Sequence, residues 1–331
     1  MANPKFPFNT QAAVAASITL GVIVACAGCN SRSRGNAERS AETTDTSTRT
    51  AAMNAPEPQR PEPKSGEARS VEPQVQSEIE KAEAEKRAAL LKEAQSAMEE
   101  TRNALAALDR GDTRAALAAL ARANGQLEVV LTRDPRLALA PVGVDTVVYD
   151  LYATPDTVKA VVRQARGDLS DDRIQQARHE LMYLASEADL RVAELPLASY
   201  LPAIKAAAPL IDQGRIDEAK AALQTALNSL VIDTLVLPLP RVRAEALLTA
   251  AQQIVSQPNR QQPDQQKVRS LIAAARNEVQ LAEALGYGTK SDYKPLYSEM
   301  DELQKAAERG QAGPGVFDRL HQSLRRFKFT T

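Results

Sequence analysis

Residues 210–240 read LIDQGRIDEAKAALQTALNSLVIDTLVLPLP, and the fold class follows from how this stretch divides. Apolar residues at helical spacing run up to Gly214. A glycine there suits the residue after a helix, where the backbone turns through positive φ. Asp217 and Glu218 then fall in the first turn of a second helix, where the helix dipole favours acids. From Val231 to Pro240 the helical period is lost: β-branched residues favour extended backbone, and prolines stop a helix. The unit is helix, turn, helix, extended strip.

Two earlier stretches repeat this order. Gly111 is followed by Asp112, an N-cap residue type, and by AALAALARA. Gly167 is followed by Ser170 as a cap, by Asp171 and Asp172 in the next turn, and by ARHELMYLASEADL. Each second helix carries a matching stripe: Ala116, Leu120, Ala123; Ala177, Leu181, Leu184; Ala219, Leu223, Ala226. Each runs into a strip, at residues 137–151, 190–197 and 231–240. A fourth copy is expected from Asn259 or Asp264, through VRSLIAAARNEVQLAEAL. The glycine spacing is uneven, so this is not a strict tandem array of the tetratricopeptide kind. One long helix is expected over 74–109, with a weak coiled-coil option over 74–98. Further helices are expected over 200–213 (with Pro209 inside), 263–285, 291–309 and 314–328. The expected fold class is all-α: a helical bundle of helix-turn-helix repeats with short extended Pro-containing strips.

Composition agrees. Hydrophobic residues are 44% but aromatics only 4%, so Ala and Leu supply the core, which suits closely packed helices. The net charge of −1 provides no field for steering polyanions, and no nucleic-acid partner is expected.

The chain starts with an export pattern. Residues 12–28, AAVAASITLGVIVACAG, are uncharged and mostly apolar, and end in Ala27-Gly28 before Cys29. This resembles the bacterial lipoprotein signal, with Cys26 standing where its lipobox usually has Leu. The resemblance implies a mature chain that begins at a lipid-modified Cys29. It implies a membrane-anchored lipoprotein of the cell envelope, on the periplasmic or extracytoplasmic side. Plain signal-peptidase cleavage or an uncleaved anchor are the alternatives. A redox or metal use of Cys26 and Cys29 would need a folded knuckle, not an apolar export core. Residues 30–70 lack Val, Leu, Ile, Phe, Tyr and Trp and contain PEPQRPEP, so they read as a disordered linker.

Four features, in order along the chain, carry a family resemblance. They are A-R-H-E-L at 177–181 with Ser186-Glu187, Leu-Pro-Leu at 195–197 with Tyr200-Leu201-Pro202-Ala203, G-R-x-x-E-A-x-x-x-L-x-x-A-L from Gly214 to Leu227, and Pro-Leu-Pro at 238–240. Over residues 104–255 the chain resembles the YfdX-like family. The resemblance implies an all-α fold, homo-oligomeric assembly, a link to bacterial stress response and no known catalytic activity. The expected organisation is a signal peptide with a lipobox-like end at 1–29, the linker at 30–70, a YfdX-like helical domain at 71–258, and a helical C-terminal extension at 259–331.

Little in the chain points to chemistry. The two histidines, His179 and His321, are far apart in sequence. Asp168, Asp171 and Asp172 lack EF-hand spacing and read as helix capping. GYGTKS at 286–291 follows a helix and reads as a helix stop, not a phosphate loop. Arg325-Arg326-Phe327-Lys328-Phe329 reads as the two faces of a last helix, or as a contact for anionic lipid or wall polymer. No catalytic residue, metal ligand or cofactor is expected. The expected function is that of a non-enzymatic, membrane-tethered envelope protein acting by self-association and binding, in a stress response. Its partners are a second copy, the membrane through the N-terminal lipid, and a protein partner. The alternative is a tetratricopeptide-like scaffold presenting a groove to a partner protein. Leu195, Leu197, Leu237 and Leu239 are the candidate interaction residues. On Pro-containing strips they form either an exposed apolar patch or part of the bundle's own core.

Overall fold

The structure is a computed structural model that describes residues 64–258 and 261–327. The export pattern, Cys29 and most of the linker lie outside the described residues. Residues 64–70, the end of the expected linker, are ordered, and Gly66–Ser70 forms a one-turn helix, α1, capped by Ser65.

The expected helix over 74–109 is two helices, α2 (Glu72–Ala88) and α3 (Lys92–Asp109). The break has a tertiary cause. Leu91 is extended, and its N–H donates to the Pro141 carbonyl at 3.0 Å. No coiled coil forms. Helix α4 (Thr113–Arg133) follows, with Gly111 at φ 77° and the Asp112 carboxylate accepting from the Ala115 N–H, as the sequence suggests.

The three strips are strands, which corrects the all-α expectation: the fold is mostly helical around one small sheet. Strands β1 (Leu139–Tyr149), β2 (Glu187–Pro196) and β3 (Val231–Pro238) pair antiparallel in the order β1-β2-β3. A hairpin of helices separates each pair: α5 (Pro155–Ser170) and α6 (Ile174–Leu181), then α7 (Leu197–Asp212) and α8 (Ile216–Leu227). The hairpins do not stack on one another as tetratricopeptide units do. The first packs on α10 (Gln262–Leu285); the second packs on α3 and α4. Gly214, at φ 73°, ends α7 as expected. Gly167 does not play that part, because α5 continues through it to Ser170. There the left-handed residue is Asp172, at φ 56°, whose short polar side chain tolerates that region.

Two cores flank the sheet, and alternation along β2 links them. Ala193 and Leu195 point into the first core, built by α3, α4, α7 and α8. Ala188 and Leu190, on the opposite face, meet Val75 and Ile79 of α2 and Leu239 and Val242 of α9 (Leu239–Val255). The second core joins α9 and α10 to α11 (Lys290–Glu308) and α12 (Pro314–Arg326). It spans the expected 258/259 boundary, because α9 and α10 pack along their length. Tyr287, just past Gly286 at φ 87°, is buried and accepts the Ser186 N–H at 2.9 Å, tying the second core to the start of β2.

Candidate functional site

The four candidate leucines pack inward. Leu195 is 0% exposed in the first core. Leu197 is the first residue of α7; its side chain is buried, and its N–H donates to the Ala138 carbonyl at 3.1 Å. Leu239 likewise opens α9, with its N–H on the Ser186 carbonyl at 2.9 Å. Leu237 is half-buried against the α2 cluster. The exposed-patch reading of these residues is therefore corrected to packing. Each proline strip turns directly into a helix, and that rotates its leucines into a core. Leu197→Ser and Leu239→Ser should each lower the unfolding free energy by about 2–3 kcal/mol. Denaturant melts of the single variants check this.

Exposed apolar residues lie a few positions earlier, on β3, as they do around α6, where Ile174, Met182 and Tyr183 are open. Val231, Ile232 and Leu235 are open, with Ile232 at 51% exposure. Register shows how open. Ile232 stands opposite Ala193 and Leu235 opposite Leu190, so they project from opposite faces of the sheet. The first five residues of β3 are exposed on both faces. On its outer edge β3 has no strand partner among the described residues. Only Asp233 carries charge in this strand. Edge strands usually carry charges, a bulge or an inserted proline that discourage pairing; β3 has one acid and a proline only at its end.

A second feature was not legible in sequence: a buried charge cluster. Arg243 on α9 is 1% exposed. Its Nη2 donates to Asp150 Oδ1 at 2.8 Å, and its Nε lies 3.5 Å from Glu72 Oε2. Lys64 pairs with both carboxylates and sits over the Tyr152 ring, 4.8 Å from its centroid. Glu278 of α10 is 7% exposed, and its Oε2 has no hydrogen-bond partner. Burial pushes the Glu278 carboxyl up to about 7, against the pull of Arg243 and Lys64. Burial disfavours the Arg243 charge, yet Asp150, Glu278 and Glu72 together hold it above the ordinary guanidinium value. The five groups come from five different places in the chain, so no local pattern announces them.

The remaining candidates stay apart. His179 is exposed on α6, with its ring edge-on to Tyr183 at 5.7 Å. His321 is half-buried on α12. Asp168, read from the sequence as helix capping, is a buried carboxylate gripped by Arg173 Nε at 2.9 Å. Among the described residues no group of three or more His, Cys, Asp or Glu is placed to hold a metal ion. No described helix is long and apolar enough to cross a membrane.

Comparison with known proteins gives a family. The model of the family described as "YfdX protein" matches residues 97–236. Those residues run from within α3 to within β3, and so cover the first core and the sheet. No curated protein matches the chain. Among solved structures, YfdX of Salmonella Typhi is 17% identical, with 45% of this chain and 93% of that chain covered. The TM-score is 0.32, too loose a superposition to bear on how the elements are arranged. Over residues 97–236, this chain is similar to the YfdX family.

Proposed function

We propose that this is a non-enzymatic, membrane-tethered envelope protein that works by self-association and binding, and that copies meet along the open edge of β3. The observation that carries the reading is a strand with both faces and one edge uncovered, bearing Val231, Ile232 and Leu235. Water-facing apolar surface combined with unpaired strand groups favours pairing with a second strand. An identical strand suits antiparallel pairing about a two-fold axis, where each surface patch meets itself. The tether rests on the apolar run ending at Cys29, and the part in a stress response rests on the family.

Sedimentation and light scattering test the self-association. The full chain should run as a dimer or larger. Ile232→Lys together with Leu235→Lys should yield monomers with a nearly unchanged melt, since both side chains face solvent. A monomeric parent chain, or variants that assemble as before, would sink the reading. The tether is tested separately: Cys29→Ser should move the protein from the membrane to the soluble fraction or leave the precursor uncleaved.

A further inference from the structure

A cavity of about 660 Å³ forms a trough between α2 and α9, closed on one side by α12. Its volume is that of small-molecule and peptide sites. Every lining residue lies outside 97–236, so the trough is built by the parts of the chain that the family model does not match. The bottom is aliphatic and small: Val71 and Val242 are buried, and Ala246 and Ala250 half-buried. The rim carries Gln74, Ser77, Thr249 and Gln253, exposed neutral groups that both donate and accept hydrogen bonds. Between Arg241 and Gln253, α9 gives the trough a length of about 18 Å at 1.5 Å per residue. An extended chain of about five residues spans the same distance.

The two ends differ. Charge gathers where Arg241 and Glu245 pair at 2.8 Å, with Lys81 loosely on Glu78 at 3.8 Å. Arg325 reaches the same end from α12 and is in no hydrogen bond or ion pair with a described residue. Three cations thus face two carboxylates. His321, beside them, is held below the ordinary imidazole value by burial and by Arg325, so it adds no charge near neutrality. The far end is hydroxyl and amide only. Among the described residues no Phe, Tyr or Trp ring lines the trough, so it lacks the broad platform on which sugars and bases stack.

We propose that this trough binds an extended oligopeptide of small residues, with the peptide's free C-terminal carboxylate on Arg325. The rim amides and hydroxyls take the peptide's backbone groups, and the methyls of its side chains rest on Val71, Val242 and the two alanines. The backbone contacts are independent of sequence; the carboxylate sets direction.

The chain's two histidines make the test clean. The full chain is titrated with N-acetyl-penta-alanine carrying a free carboxylate, and in parallel with its C-terminal amide, while the imidazole NMR signals are followed. The His321 signals should move saturably with the acid, and about tenfold more peptide should be needed for the amide or for Arg325→Gln. His179, on α6 and outside the trough, should stay still. Arg325→Gln should melt like the parent, because the side chain is exposed. A motionless His321, or equal affinity for acid and amide, overturns the proposal. So does an Arg325→Gln protein that binds the acid as the parent does. None of these outcomes depends on whether β3 pairs with a second copy.

Discussion

Arg243→Met should lower the unfolding free energy by about 3–5 kcal/mol, the usual result of removing one partner from a buried ion cluster. Methionine keeps much of the aliphatic volume, so little of the loss comes from a cavity. The loss comes from what stays behind. Asp150, 2.8 Å from the guanidinium, Glu72 at 3.5 Å and the buried Glu278 would be left to share only Lys64. Lysine would not restore the site, since a single ammonium cannot address two carboxylates with the guanidinium's fork. Denaturant unfolding at neutral pH measures the effect. An Arg243→Met protein within about 1 kcal/mol of the parent would mean that the cluster is solvated and not a structural node. The consequences would reach beyond α9, because the cluster ties together the stretch before α1, the start of α2, the chain just after β1, and α10.

Much of this architecture is legible in the residues, for a local reason. Gly111, Gly214 and Gly286 all sit at positive φ at helix ends, where the sequence places them. The β-branched runs at 137–151 and 231–240 form strands within those bounds. What fails to show is whatever depends on a distant partner. Nothing near Leu91 reveals that its N–H will meet Pro141, so the helix break is invisible locally. The leucines of the proline strips and the apolar residues of β3 look alike in sequence. They differ only in cover: α7 and α9 begin at Leu197 and Leu239 and turn them inward, whereas no described element lies over Val231 or Ile232. Local chemistry names the apolar residues; topology decides which of them meet water. The charge cluster is the extreme case, since Lys64, Glu72, Asp150, Arg243 and Glu278 look like ordinary surface residues until the fold brings them together.

Glu278→Gln should stabilise the protein at high pH and do little at low pH. With every group ionised, the cluster holds Lys64 and Arg243 against Asp150, Glu72 and Glu278, one negative charge in excess. Protonating Glu278 balances it. Burial pushes that carboxyl up from 4.5 to about 7, so between those values the folded chain keeps a proton that the unfolded chain has released. Stability from this group is fully present below 4.5 and is lost as pH rises through about 7. The whole shift corresponds to a cost on the order of 3 kcal/mol above about pH 8. Glutamine is nearly isosteric with the protonated acid and cannot ionise, so it removes that cost. The variant should match the parent near pH 4.5, gain steadily through neutrality, and plateau at roughly 3 kcal/mol near pH 8. Arg243→Met should be least damaging at the acid end, where Glu278 carries no charge to leave unpaired. Unfolding free energies of parent and Glu278→Gln across this range decide it. A difference that stays constant with pH would show that Glu278 is ionised throughout, and that water or a cation reaches it inside the fold.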